Sequence, residues 1–290
     1  MKDPKFIDVD GIDTRYFEAG RGTPLLLIHG GTFGNYYNAY HWSLNFDALS
    51  DHFQVFALDK LGMGYTGNPE RDADYTMART TDHIAGFMRT VGIDGAVLVG
   101  HSRGALPAAR IAVDLPDLVK ALVIVDSNTL AADHPSTPKN FYKILNENPG
   151  GRPDEAFVRL EPEANSFSRG HITADFVDAL LKIARLEKTQ QARTAMLDRV
   201  DQQFRADVQI VKYETLDAIR AGRLKAPTLV VWGLNDPSAP VALGYELFQH
   251  IALALPQTQL HVFNQAGHYV YREHAAQLNQ LIVDFVMGFG

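Results

Sequence analysis

The chain has 290 residues, 46% of them hydrophobic, and carries 27 Lys and Arg against 34 Asp and Glu, a formal charge of -7. That length and apolar fraction suffice for a large core in one elaborated domain, while the acidic balance and the lack of a basic run exclude a nucleic-acid-binding surface. With no cysteine, disulfides, thiolate zinc sites and a cysteine nucleophile are excluded together.

The N-terminal segment lacks the apolar stretch of a signal peptide, and no run of about 18 apolar residues occurs, so a soluble cytoplasmic protein is expected. In chain order, the first apolar, β-branched run is 25–28, followed at once by His29-Gly30-Gly31. A second run at 55–58 leads into Gly62, Gly64 and Gly67, spaced as G-x-G-x-x-G, with Asp82 twenty residues beyond Gly62. A dinucleotide site would need those glycines to open a helix immediately, but Asn68-Pro69-Glu70 intervenes and helical spacing resumes only near Thr80. This is a structural turn, and no cofactor is expected.

Helical spacing at Ile84, Phe87, Met88 and Val91 precedes a third run at 96–99, and a fourth lies at 121–125. The alternation then stops until about Ala226. The interval contains prolines at 133–138, a further break at 149–153, and one amphipathic helix marked by Phe176, Ala179, Leu180 and Ile183. Strand runs return at 228–232 and 260–263, and Leu278, Leu281, Ile282 and Phe285 mark a final helix. All six runs read as strands buried on both faces, which predicts a mostly parallel sheet covered by helices on both sides. The expected division is a core of 1–126 and 208–290 with 127–207 as an inserted helical cap.

The chemistry centres on Gly100-His101-Ser102-Arg103-Gly104, a G-x-S-x-G motif between the run 96–99 and the small-residue helix 105–112. Side chains at 100 and 104 would collide with the neighbouring strand and helix, and the tight turn lifts Ser102 out at a helix N-terminus whose N–H groups can stabilise an oxyanion. A serine hydroxyl needs a base and an orienting acid, expected in the order Ser, Asp or Glu, His. Asp236 follows the run 228–232 and His268 follows 260–263, both at strand C-terminal ends where ligands bind in open α/β sheets. Asp126, at the end of the run 121–125, competes as the acid, but geometry and chain order favour Asp236, and Asp126 also reads as a helix or turn cap. Of 11 histidines, His29, His101 and His261 lie in or beside strands and His274 on the final helix, so His268 fits the base best. The His29-Gly30-Gly31 loop precedes the nucleophile as an oxyanion loop does, which makes the amides of Gly31 and Arg103 the two expected donors.

With these residues, the chain resembles the α/β-hydrolase superfamily over its whole length, and within it the meta-cleavage product hydrolases. The segments that carry this are Glu18-Ala19-Gly20, 27–31, and the tail 260–268 followed by Glu273-His274. The resemblance implies an α/β-hydrolase fold with the cap inserted after the sixth strand. It also implies hydrolysis of a carbon-carbon bond in a 2-hydroxy-6-oxo-dienoate made by ring fission of an aromatic, with Ser102 attacking the ketone and His268 shuttling protons. Gly30, Thr32, His101, Tyr269 and Arg185 are candidate substrate-binding residues, and a homo-oligomer is compatible with the resemblance. The chain departs from the family in carrying His101 where Asn commonly precedes the serine, Tyr269 where Trp commonly follows the histidine, and Leu180 where a cap arginine commonly clamps the dienoate carboxylate. Arg103, Arg185 and Arg193 are the alternatives for that clamp, and Tyr36, Tyr37 and Tyr40 are candidates to line the pocket or pack in the core. Other readings are a carboxylesterase or lactonase using the same triad, and a non-catalytic ligand-binding member of the fold. A dehalogenase or epoxide hydrolase would need a carboxylate in place of Ser102.

Overall fold

A computed structural model of the protein describes residues 1–138, 141–142 and 152–288. Its strands are β1 (Lys5–Val9), β2 (Ile12–Ala19), β3 (Pro24–Ile28), β4 (Gln54–Leu58), β5 (Ala96–His101), β6 (Val119–Val125), β7 (Thr228–Gly233) and β8 (Thr258–Phe263). They form one sheet in the order β1-β2-β4-β3-β5-β6-β7-β8, antiparallel where β1 meets β2 and β2 meets β4 and parallel from β4 onward. The β1–β2 hairpin carries no continuous apolar run, because β1 is half-exposed. Its turn is nonetheless written in the sequence: Asp10 and Gly11, at φ 52° and 84°, join the pair Val9 and Ile12, the two-residue connection that Asp-Gly favours.

The central strands are buried on both sides, as their apolar runs require. Leu26, Ile28, Leu98, Ile124 and Val230 face one core cluster, and Leu25, Leu27, Val97, Val99, Val123 and Val231 face the other. β8 departs from the expectation of a strand buried on both faces. It lies at the sheet edge with Gln259 and His261 exposed, and its alternation of buried and exposed residues is the period of a strand covered on one side.

The first cluster is closed by α2 (Met77–Thr90), α3 (Ala105–Asp114), α7 (Asp201–Arg220) and α8 (Val241–Ala252), and the second by α1 (Phe46–Ser50), the short α9 (Val270–Glu273) and α10 (Ala275–Met287). Between β6 and α7 lie α4 (Glu155–Asn165), α5 (Ala174–Ala184) and α6 (Glu187–Ala195). The sequence break at 149–153 falls partly on 149–151, outside the described residues. Asp154 and Thr173 cap α4 and α5 by accepting from the amides of Phe157 and Phe176. The apolar stripe of α5 (Phe176, Leu180 and Ile183) is almost wholly buried and joins the second cluster with Tyr37, Ala266 and Tyr269. At about 1.5–3 kcal/mol per buried large side chain, this stripe is enough to hold α5 against the loops that follow β3 and β8.

Candidate active site

The strongest local constraint is the turn between β5 and α3. Ser102 has φ 52°, a left-handed conformation costing a non-glycine residue about 1–3 kcal/mol. Its surroundings enforce it. A Cβ at Gly100 would lie 2.5 Å from the Ala105 Cα, and one at Gly104 would lie 2.4 Å from the Ile28 carbonyl oxygen. Both positions therefore exclude any side chain, and the Ser127 hydroxyl pins the turn by donating to the Ser102 carbonyl at 2.7 Å.

Ser102 Oγ lies 3.0 Å from His268 Nε2, and His268 Nδ1 lies 2.6 Å from Asp236 Oδ2. Asp236 is oriented in turn, since its Oδ1 accepts from the Ser238 amide and hydroxyl and from the Ala239 amide at 2.8–3.0 Å. Burial alone would lower the His268 pKa. The charge and hydrogen bond of Asp236, with the charges of Glu161 and Glu273, outweigh it, and the net direction is upward.

Asp126, the competing acid, lies close but faces elsewhere. One of its oxygens accepts from the Gly233 amide at 2.8 Å, and the other is buried with no hydrogen-bond partner among the described residues. Burial and the neighbouring Asp236 push its carboxyl well above the usual range, toward the neutral form.

The His29-Gly30-Gly31 loop reaches over the serine. A Cβ at Gly30 would lie 3.0 Å from the Ser102 Cβ. His29 fixes the loop: its Nδ1 donates to the Gly30 carbonyl and its Nε2 accepts from the Lys60 amide. Gly31 has φ 75°, and its carbonyl accepts from Lys60 Nζ at 3.1 Å. Lys60 is only 2% exposed, and burial, followed by the charge of Arg103, lowers its pKa to about 7. His101 packs its ring 4.7 Å from that of His268 and donates from Nε2 to the His268 carbonyl; burial keeps it neutral.

One group that the sequence did not reveal comes from α4. The buried Glu161 accepts from the Tyr37 hydroxyl at 3.0 Å, the Tyr269 hydroxyl at 2.5 Å and the Asn165 amide at 2.6 Å. Burial raises its pKa, and these hydrogen bonds oppose the rise. From Asn165 the network continues to the Tyr142 hydroxyl and on to Ser238, the residue that donates to Asp236. The Asn165 carbonyl also accepts from the His268 amide at 2.8 Å. The end of α4 is thereby tied to both His268 and Asp236. Glu161 lies in a helix whose spacing carries no chemical motif; of this cluster, only Tyr37 and Tyr269 were legible as candidates.

The remaining candidates separate clearly. Gly30, His101 and Tyr269 adjoin Ser102 and His268, and Thr32 follows the loop with its hydroxyl buried. Arg185 is exposed and donates to the Pro153 carbonyl, so it does not belong to the site. Arg193 lies over the Phe157 ring. Leu180 is fully buried in apolar packing, which leaves no guanidinium at that position.

A nucleophile on a strained strand-to-helix turn, a histidine paired with a carboxylate and a glycine loop over the serine make one constellation, and the alpha/beta hydrolase fold family model matches residues 23–275. The chain belongs to this family. It is 31% identical to 2-hydroxymuconate semialdehyde hydrolase of a Pseudomonas species, over 95% of this chain and 91% of that protein. It is 27% identical to 2-hydroxy-6-oxo-6-(2'-aminophenyl)hexa-2,4-dienoic acid hydrolase of Metapseudomonas resinovorans, over 97% of this chain and 90% of that protein. The fold is similar to that of a meta-cleavage product hydrolase from Pseudomonas fluorescens, with TM-score 0.81 at 24% identity over 99% of this chain and 98% of that one. The protein is thus an enzyme of the hydrolase class.

Proposed function

We propose that the protein is a serine-dependent carbon-carbon bond hydrolase acting on a 2-hydroxy-6-oxo-dienoate from aromatic ring fission. The observation that carries the reading is the continuous contact from Ser102 through His268 to Asp236, joined to relatives named for such substrates. The dienol first takes a proton on carbon, which leaves a ketone whose neighbouring carbon-carbon bond can break with its electrons delocalised into the conjugated chain. His268 removes the Ser102 proton as Oγ attacks the ketone carbon, Asp236 stabilises the imidazolium, and the Gly31 and Arg103 amides hold the oxyanion. His268 then protonates the departing carbon fragment and activates the water that frees the acyl group from Ser102. The products are a 2-hydroxydienoate and a carboxylic acid.

Within the same reading, 127–207 is the cap over a core of 1–126 and 208–290, and the protein works in the cytoplasm on a small molecule. Among the described residues, no helix is long and apolar enough to cross a membrane. Mixing the purified enzyme with coloured ring-fission dienoates tests the reading: bleaching is expected, and its absence across several dienoates overturns it. Leu180, in place of a cap arginine, favours a second reading as a carboxylesterase or lactonase. Faster turnover of p-nitrophenyl esters than of any dienoate would select it.

A further inference from the structure

Gly31 is the hinge of the oxyanion loop. Its Cα joins two peptide units, one carrying the Gly30 carbonyl and the Gly31 N–H, the other the Gly31 carbonyl. A side chain is excluded there, because a Cβ would lie 2.7 Å from the Tyr37 Cβ and 2.9 Å from the Met63 Cε. A glycine at φ 75° keeps wide freedom about both of its bonds, so an N–H that is to meet an oxyanion must be held from outside. In a planar trans unit the N–H points opposite to the carbonyl, and His29 Nδ1 holds the Gly30 carbonyl at 2.8 Å. That contact aims the Gly31 N–H.

Lys60, on the loop after β4, restrains both units. Its backbone N–H donates to His29 Nε2 at 3.1 Å, which leaves the His29 proton on Nδ1, and its Nζ donates to the Gly31 carbonyl at 3.1 Å. The ammonium does this among apolar neighbours, since the small void that Lys60 lines with Gly31 is also bounded by Phe33, Leu61, Met63, Met77 and Phe204. The titratable groups around it give no relief. Arg103 repels it, and His29 and His101, beyond β3 and at the end of β5, are kept neutral by burial. Asp201 and Arg205 of α7 act on Arg103 with opposite signs. Desolvating a cation is costly, and exchanging a buried charge for an apolar side chain is often neutral or stabilising. A lysine at this position is therefore accounted for by what it holds and not by stability.

We propose that Lys60 is a positioning residue of the oxyanion hole, its ammonium fixing Gly31 so that the Gly31 N–H is aimed before the substrate arrives. It acts through the loop and not on the substrate. Burial brings its pKa to about 7, so the hold is full at acid pH and weakens as pH rises and the neutral amine, a poorer donor, replaces the ammonium. This rests on Ser102 as nucleophile and Gly31 as oxyanion donor, as in the proposed function, and not on which bond is broken.

The test is kcat for p-nitrophenyl acetate in the wild type and in Lys60→Met, a neutral side chain of similar length. Removing an oxyanion donor costs on the order of 100- to 1,000-fold, so loosening one that is still present should cost about tenfold, in kcat and with KM nearly unchanged. Dividing the wild-type kcat by that of the variant cancels the His268 titration they share, and the quotient should fall from about ten near pH 6 toward about one near pH 9. Lys60→Met should melt no lower than the wild type. A quotient near one at pH 6, or one that does not change with pH, overturns the proposal. So does a loss confined to KM, which would make Lys60 a substrate contact, and so does a variant that melts lower or does not fold, which would make it a structural residue. If Ser102→Ala turns the ester over as fast as the wild type, the nucleophile assignment fails and this proposal falls with it.

Discussion

The groups on the core loops and the group supplied by α4 are positioned by different means. Ser102 directly follows β5, while Asp236 and His268 sit on the short loops that follow β7 and β8, so the order of these neighbouring strands brings the three together. Glu161 reaches the same place from a helix 59 residues beyond Ser102, held there by side-chain hydrogen bonds and by the Asn165 carbonyl on the His268 amide. The lesson is a division of labour. The sheet sets the reacting atoms, and α4 sets the electrostatic environment around them. Gly34 shows how closely the insertion is seated: a Cβ there would lie 2.4 Å from the Arg193 Cα, and φ 72° already favours glycine.

The largest effect should come from the core. Ser102→Ala is expected to cut turnover by about 10⁶-fold while ligand binding, followed by calorimetry, persists. Retained turnover would remove Ser102 from the mechanism. Next is the acid: Asp236→Asn should cost on the order of 10⁴-fold in kcat, because the amide cannot hold the required His268 tautomer or stabilise its charged form. Should Asp126→Asn instead produce that loss, the assignment of the two carboxylates would reverse.

The α4 group should have a smaller and different signature. Activity needs neutral His268, and its pKa is raised, so the acid limb of the kcat/KM profile should lie above the ordinary imidazole value near 6.5. Glu161→Gln removes one of the charges that raise it, so the limb should move to lower pH, with a loss of less than about tenfold on the plateau, one hydrogen bond's worth. A limb that does not move would show Glu161 to be packing alone.

The smallest effect is expected at Asp126. Its folded-state pKa is raised, so above the unfolded value near 3.9 the unfolded chain has already lost the proton that the native state still holds. Native stability from this group is therefore full at low pH and declines as pH rises. Asp126→Asn should melt progressively higher than wild type as pH rises from 4 to 7, with activity little changed. An unchanged difference in melting temperature across that window would mean that Asp126 is not neutral in the fold.

Much of the core was legible because its signals are local. Buried parallel strands need continuous apolar runs, and the Gly100 to Gly104 turn needs glycines at fixed offsets, so the nucleophile and its helix could be read directly. The β1–β2 hairpin escaped because β1 faces solvent on one side, and the edge position of β8 escaped because Leu260 and Val262 give an apolar pattern whether a neighbouring strand is present or not. The Gly62, Gly64 and Gly67 turn was read correctly: Gly62 and Gly64 have positive φ, and the next α-helix begins only at Met77.

The sequence by itself pointed to Ser102, to His268 and to Asp236 ahead of Asp126, because each is expected to follow a strand in a fixed order. Only the tertiary structure shows which carboxylate turns toward His268 Nδ1, Asp236 at 2.6 Å, while Asp126 accepts from the Gly233 amide, since both follow neighbouring strands and the difference lies in how the two loops pack. It alone also brought Glu161 of α4, with Tyr37 and Tyr269, into the surroundings of His268. Charges brought together from distant segments leave no periodicity in the chain, and their effect depends on burial, which only the packed fold creates.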